Sequence, residues 1–261
     1  MLNVYLDRGA KWDSTDEIMC VVSVIFKPTR YKQFIRPWNR MLRAWRASAF
    51  HATDFYPGGG EFRRDTLQRK QLFADDSKRI PRIIGEYAQH ILIVSFRPRE
   101  FEQVASAKWK EAFGTSVHSH AVQLALIANG WWRYEKYRSE RFEYFMESGD
   151  PDEVEVQETV SEMRKDKDSG TADVIRVNSF RAVDKGMARG LEAADCVAWH
   201  WNKHYMDRVR SGKENDARKD FAVLCGYGKV HDSFATGDKL KYFFSLAPPH
   251  VLGVDHLPVT S

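Results

Sequence analysis

Asn3-Val-Tyr-Leu-Asp7 and Ile18-Met-Cys-Val-Val-Ser-Val-Ile-Phe26 are the stretches on which the fold is decided. The first is a short apolar run ending on an acid. The second is dense in β-branched side chains, as in a central strand buried on both faces. Arg8 to Glu17 between them is polar with one glycine, which suits a hairpin connection.

Downstream, Pro28 opens a helix over Tyr31–Arg46, with Phe34, Ile35, Trp38, Met41, Leu42 and Trp45 at helical spacing. Phe50–Phe55 reads as a short extended piece and Pro57-Gly-Gly-Gly60 as a flexible loop that could open over a site. Thr66–Gln89 is helical, with Pro81 expected to kink it or divide it in two. Further strands are expected at Ile91–Phe96, Phe142–Met146 and Ile175–Phe180. Further helices are expected from Glu100, over His118–Tyr137, Asp152–Arg164 and Met187–Tyr205. Asp207–Asp220 is almost wholly polar and reads as a mobile surface segment. About five strands interleaved with helices make an α/β fold with a mixed sheet. A hairpin followed by strand–helix alternation is compatible with a ribonuclease-H-like layout. We read 1–261 as one such domain with a helical insertion around 98–140.

A chain of 261 residues with 43% hydrophobic residues can build a substantial core. Its net charge of +4 and pI near 8.8 permit a nucleic-acid partner, DNA or RNA, without requiring one. Basic residues cluster at Arg36–Arg46, Arg63–Lys70 and Arg133–Arg141, with Trp38, Trp45, Trp131 and Trp132 interleaved. Such runs are either solvated helix faces or phosphate contacts bordering a site. Cys20, Cys196 and Cys225 form no metal spacing and suit reduced residues of a cytoplasmic protein. No leader and no apolar run long enough to span a bilayer is visible, so no membrane partner is expected.

The acids carry the functional signal. Asp7 and Glu147 each end an apolar strand; Glu147 closes Arg141-Phe-Glu-Tyr-Phe-Met-Glu147. Glu192 and Asp195 lie one turn apart in an apolar helix. Burying an ionised carboxylate is costly unless it is paired or binds a metal. Hard oxygen ligands suit Mg²⁺ or Mn²⁺. Asp7, Glu147, Glu192 and Asp195 are therefore candidate metal ligands, with Asp150 competing for the role of Glu147. The plain structural alternatives are a strand-end Asp7 capping a turn and Glu147 as a surface turn acid. His51 and Asp54 are candidates for moving a proton or orienting the attacking water, or else a hydrogen-bonded loop pair. Lys185 reads as a solvated lysine that could reach a phosphate. His200 and His204 have zinc-like i, i+4 spacing, but nothing nearby completes a site and they read as packing.

Three segments, in order, carry a family resemblance: Tyr5-Leu-Asp7, Phe50-His-Ala-Thr-Asp-Phe55 and Gly190-Leu-Glu-Ala-Ala-Asp-Cys-Val-Ala-Trp199. The chain resembles the bacterial domain-of-unknown-function family 3800. Its members open with a strand ending in Asp-Glu-Ser-Gly, carry a Phe-His-x-x-Asp segment, and end on a Leu-Gln-x-Ala-Asp helix. Here the opening acid pair reads Asp7-Arg8, and Glu192 replaces the helix Gln. The resemblance implies a ribonuclease-H-like architecture and a nuclease-type role.

Two functions remain open on these residues. One is a Mg²⁺- or Mn²⁺-dependent phosphodiesterase on nucleic acid, with Asp7, His51, Asp54, Glu147 and Asp195 as its machinery. The other is a degenerate module that binds nucleic acid or a protein without cleaving. Arg8 favours the second, since an ion pair with Asp7 would weaken metal binding.

Overall fold

The computed structural model describes residues 1–9, 18–105, 107, 110, 115–166, 170–211 and 219–235. A six-stranded mixed sheet runs through them. Its strands are β1 (Leu2–Gly9), β2 (Met19–Phe26), β3 (His90–Phe96), β4 (Phe142–Glu147), β5 (Val177–Val183) and β6 (Val230–Ala235). The order across the sheet is β5-β4-β1-β2-β3-β6. β2 pairs antiparallel with β1 and β3. The pairs β1–β4, β4–β5 and β3–β6 are parallel. β2 is thus the one strand running against the rest, and all eight of its residues are buried. A β-branched run without polar alternation demands this central place.

The pleat divides the sheet's side chains between two cores. Tyr5, Val22, Val24, Phe26, Ile91 and Ile93 face helices α1 (Pro28–Trp45), α3 (Leu67–Tyr87) and α8 (Arg189–Ser211). Leu6, Val21, Ile25, Leu92, Val94 and Met146 face α5 (Val117–Lys136) and α6 (Glu153–Lys165). The first layer is unusually aromatic: Phe34, Trp38, Phe50, Phe55 and Trp45 pack ring against ring at 5.0–5.7 Å. Short helices α2 (Ala52–Phe55), α4 (Pro98–Val104), α7 (Thr171–Ile175) and α9 (Lys219–Cys225) complete the set. The stretch 98–140 supplies α4 and α5, and α5 lies against β2 and β3.

Several local expectations are corrected. α3 is not divided at Pro81; Ile80, Ile83 and Ile84 are buried, and their packing carries the helix across the missing N–H. Phe50–Phe55 is extended only up to His51 and then makes one helical turn. The sixth strand, β6, lies beyond the five expected. The polar stretch 207–220 includes 212–218, which lie outside the described residues, as does the tail from Tyr242. Among the described residues no helix is long and apolar enough to cross a membrane.

Candidate active site

β1 and β4 run side by side in parallel, with Leu6 opposite Met146. The next residue along each strand is an acid, Asp7 and Glu147, and the alternation of the pleat turns both toward α8. Gly190 sets how closely α8 approaches: a Cβ there would stand 2.3 Å from the Tyr5 ring. This approach brings Asp195, on the second turn of α8, to the ends of the two strands. Its Oδ2 accepts a hydrogen bond of 3.0 Å from the Ala52 amide at the start of α2. Lys185, in a single 3₁₀ turn (Lys185–Met187) just before α8, enters from the same side and is 8% exposed. Its Nζ lies 2.9 Å from Glu147 Oε2 and 3.3 Å from Asp195 Oδ2.

Asp7, His51, Glu147, Lys185 and Asp195 line one cleft of about 370 Å³, together with Arg8, His118 and Asp150. That volume falls at the small end of ligand sites. Burial pushes the Asp7 carboxyl well above its ordinary value, and the charges of Asp195 and Glu147 add to the rise. Lys185 pulls the other way without reversing it. For Lys185, burial favours the neutral amine, but Asp7, Asp195 and Glu147 outweigh it and hold the ammonium above its ordinary pKa. The donors are hard oxygens from three distant segments, the ligand type that suits Mg²⁺ or Mn²⁺, but among the described residues the group that brings three ligand atoms within 4.8 Å of one another is His118, Asp150 and Asp152. Lys185 already supplies a positive charge among Asp7, Glu147 and Asp195.

The other face of β1 carries a second group. Arg8 points away from Asp7, and its Nε lies 3.3 Å from Asp150 Oδ2, with Nη1 3.8 Å from Asp152 Oδ2. His118, in the first turn of α5, places Nδ1 3.4 Å from Asp150 Oδ1 and 3.8 Å from Asp152 Oδ2. Burial works against the charged form of Asp150. Its neighbours His118, the Asp152 amide and Arg8 outweigh that and hold the carboxyl below its ordinary value.

Asp7, His51, Glu147 and Asp195 therefore line one cleft. Two candidates do not join them. Glu192 is fully buried and turned to α1, where Trp38 Nε1 and Arg189 donate to its carboxylate. Its charge is met by protein, so it is not a candidate ligand in the cleft. Asp54 is turned to the glycine loop: its Oδ2 lies 3.2 Å from where a Gly60 Cβ would stand, and its carbonyl accepts from Gly58 and Gly59. Gly58 and Gly60 have φ of +84° and +49°, so the three glycines serve this tight turn. Arg8 pairs with Asp150 and Asp152, not with Asp7, because consecutive strand residues face opposite sides.

Lys185, read from sequence as a solvated lysine, is instead buried between Glu147 and Asp195. His118 is the residue that sequence reasoning passed over. Nothing in the sequence marks His118.

The tryptophan–arginine stretches are also revised. Trp38 and Trp45 are core residues, Trp45 donating 2.9 Å to Asp76. Arg133 is 1% exposed and donates to the carbonyls of Arg138 and Asp173, among others. It stands fifteen residues along α5 from His118, about 22 Å at 1.5 Å per residue. The run 133–141 leads into the start of β4, whereas the acids lie at its end, so it does not border the cleft. Arg36, Arg40, Arg43 and Arg46 are exposed, on or just beyond α1.

No protein-family model matches the chain, and no curated protein matches it significantly.

Proposed function

We propose that this protein is a divalent-metal-dependent phosphodiester hydrolase acting on nucleic acid. The observation that carries the reading is that Asp7, Glu147 and Asp195, from three distant segments, line one cleft at the carboxyl ends of two parallel strands. A ribonuclease-H-like fold is supported by the run β3-β2-β1-β4-β5 within the sheet, an antiparallel opening followed by parallel strands. Kinship with the domain-of-unknown-function family 3800 rests on the sequence segments Tyr5–Asp7, Phe50–Phe55 and Gly190–Trp199 alone.

Asp7, Glu147 and Asp195 would hold the ion, which when bound neutralises charge on the phosphate and acidifies an attacking water. The chain's own groups do the rest. The Ala52 amide and the Lys185 ammonium both approach Asp195 Oδ2, so that oxygen is already committed. His51, whose carbonyl starts α2, lines the cleft and is the residue assigned to proton transfer. Lys185 neutralises the carboxylates in the resting protein and is placed to meet a phosphate oxygen when they turn to an ion.

A non-cleaving binder is the second reading. It is favoured by Lys185 and Arg8, which already compensate both acidic groups. Mg²⁺ separates the two. In a hydrolase it raises the melting temperature and supports cleavage of a labelled oligonucleotide. Asp7→Asn loses both while keeping salt-sensitive binding, since phosphate contacts come from Arg and Lys elsewhere. Wild-type protein that binds oligonucleotide but shows neither a Mg²⁺ shift nor cleavage is a binder.

A further inference from the structure

Arg8, His118, Asp150 and Asp152 form a cluster that the proposed hydrolysis does not use. Asp150 and Asp152 flank Pro151 in the turn after β4, and His118 reaches them from α5. His118 is 4% exposed, and its Nδ1 makes no hydrogen bond although two carboxylate oxygens stand within 3.8 Å. Both contacts are longer than a well-formed hydrogen bond, so the buried ring nitrogen is aimed between two carboxylates and held closely by neither. The three ligand atoms lie within 4.8 Å of one another. Ligands about 2.0–2.1 Å from a tetrahedral ion stand about 3.4 Å apart. His118 Nδ1 and Asp150 Oδ1 already have that separation, and Asp152 needs only a small closing movement.

We propose that His118, Asp150 and Asp152 bind a transition-metal ion of the Zn²⁺ or Mn²⁺ type, and that Arg8 is the counter-charge this ion displaces. One imidazole with two carboxylates suits such ions, whereas Mg²⁺ prefers oxygen alone. Two carboxylates balance a divalent ion fully, which leaves the guanidinium of Arg8 surplus. The site is braced from both sides. The Asp152 amide donates 2.9 Å to Asp150 Oδ1, and Glu155 accepts 2.7 Å from the Ser116 amide at the cap of α5. The helix carrying the histidine is thereby tied to α6, which follows directly on the turn carrying the acids.

Co²⁺ is the probe, because it replaces Zn²⁺ and absorbs visibly when held by nitrogen and oxygen. Chelator-treated full-length protein should take up one equivalent at this cluster with a visible band. His118→Gln should remove that band. Asp152→Asn, at a more exposed position, should weaken uptake at least tenfold while leaving the fold intact by circular dichroism. Asp7→Asn should keep the band, which separates this site from the one proposed for hydrolysis. Arg8→Ala should tighten uptake. Wild type that shows no band, or a band that survives both His118→Gln and Asp152→Asn, overturns the proposal and leaves an ion-pair cluster only.

Discussion

Asp7 keeps its proton more tightly in the folded chain than in the unfolded one, because burial and two neighbouring acids oppose its charge. A raised acid pKa makes the folded state bind more protons, so stability falls as pH climbs from the ordinary carboxylate range toward the raised value. In metal-free protein, Asp7→Asn should therefore melt higher at neutral pH, by about 2–4 °C for each kcal/mol relieved in a chain of this size. The gain should vanish below pH about 4, where both forms are neutral. Melting curves measured across that range decide the matter; a pH-independent difference would mean the charge of Asp7 is not what strains the site. Lys185 has the converse role. Removing one partner of a fully buried ion pair costs about 3–5 kcal/mol. Glu147 is 39% exposed, so solvent screens part of this, and Lys185→Met should cost about 2 kcal/mol. Mg²⁺ should restore more stability to that variant than it adds to wild type, as denaturant titration would show. An equal gain in both would separate the lysine from the ion.

At the scale of elements, the approach of α8 to β1 is what assembles the cleft. Gly190→Ala forces a methyl group into the Tyr5 ring and should cost about 1–3 kcal/mol by overpacking. It should weaken Mg²⁺ binding as well, because Asp195 rides on the displaced helix. A variant that loses stability but binds Mg²⁺ normally would show that Asp195 is placed by Ala52 alone. The elements legible in the sequence were those with strong patterns: β2 through its β-branched run, α1 through its apolar spacing, and the strand ends of β1 and β4 through apolar runs halted by an acid. β6 was not legible. Val230-His-Asp-Ser-Phe-Ala235 has neither alternation nor an apolar run, and it is an edge strand that depends on β3 for its pairing. The same limit governed the site. Asp7, Glu147 and Asp195 sit on periodic elements whose faces can be counted, whereas Lys185 sits in a turn and Glu192 faces α1 through a tertiary contact with Trp38 that no local pattern announces.

At the scale of the molecule, Arg36, Arg40 and Arg43 are exposed along the outer side of α1, and the nucleic acid of the proposed reaction is expected to meet them there. Three phosphate contacts from Arg36, Arg40 and Arg43 would lower duplex affinity about fortyfold between about 50 and 200 mM salt. Arg40→Glu with Arg43→Glu should flatten that slope in a fluorescence titration; an unaltered slope moves the binding face elsewhere. The two acidic groups of the cleft are kept apart by a single peptide unit of β1, since Asp7 and Arg8 project to opposite sides of the sheet. Exchanging the two, as Asp7→Arg with Arg8→Asp, would leave composition, mass and isoelectric point untouched. It would set two cations against two acids on one side and gather three acids around His118 on the other. The order of one dipeptide, not any bulk charge, thus acts as the selector of which side of the molecule is wired to receive a cation.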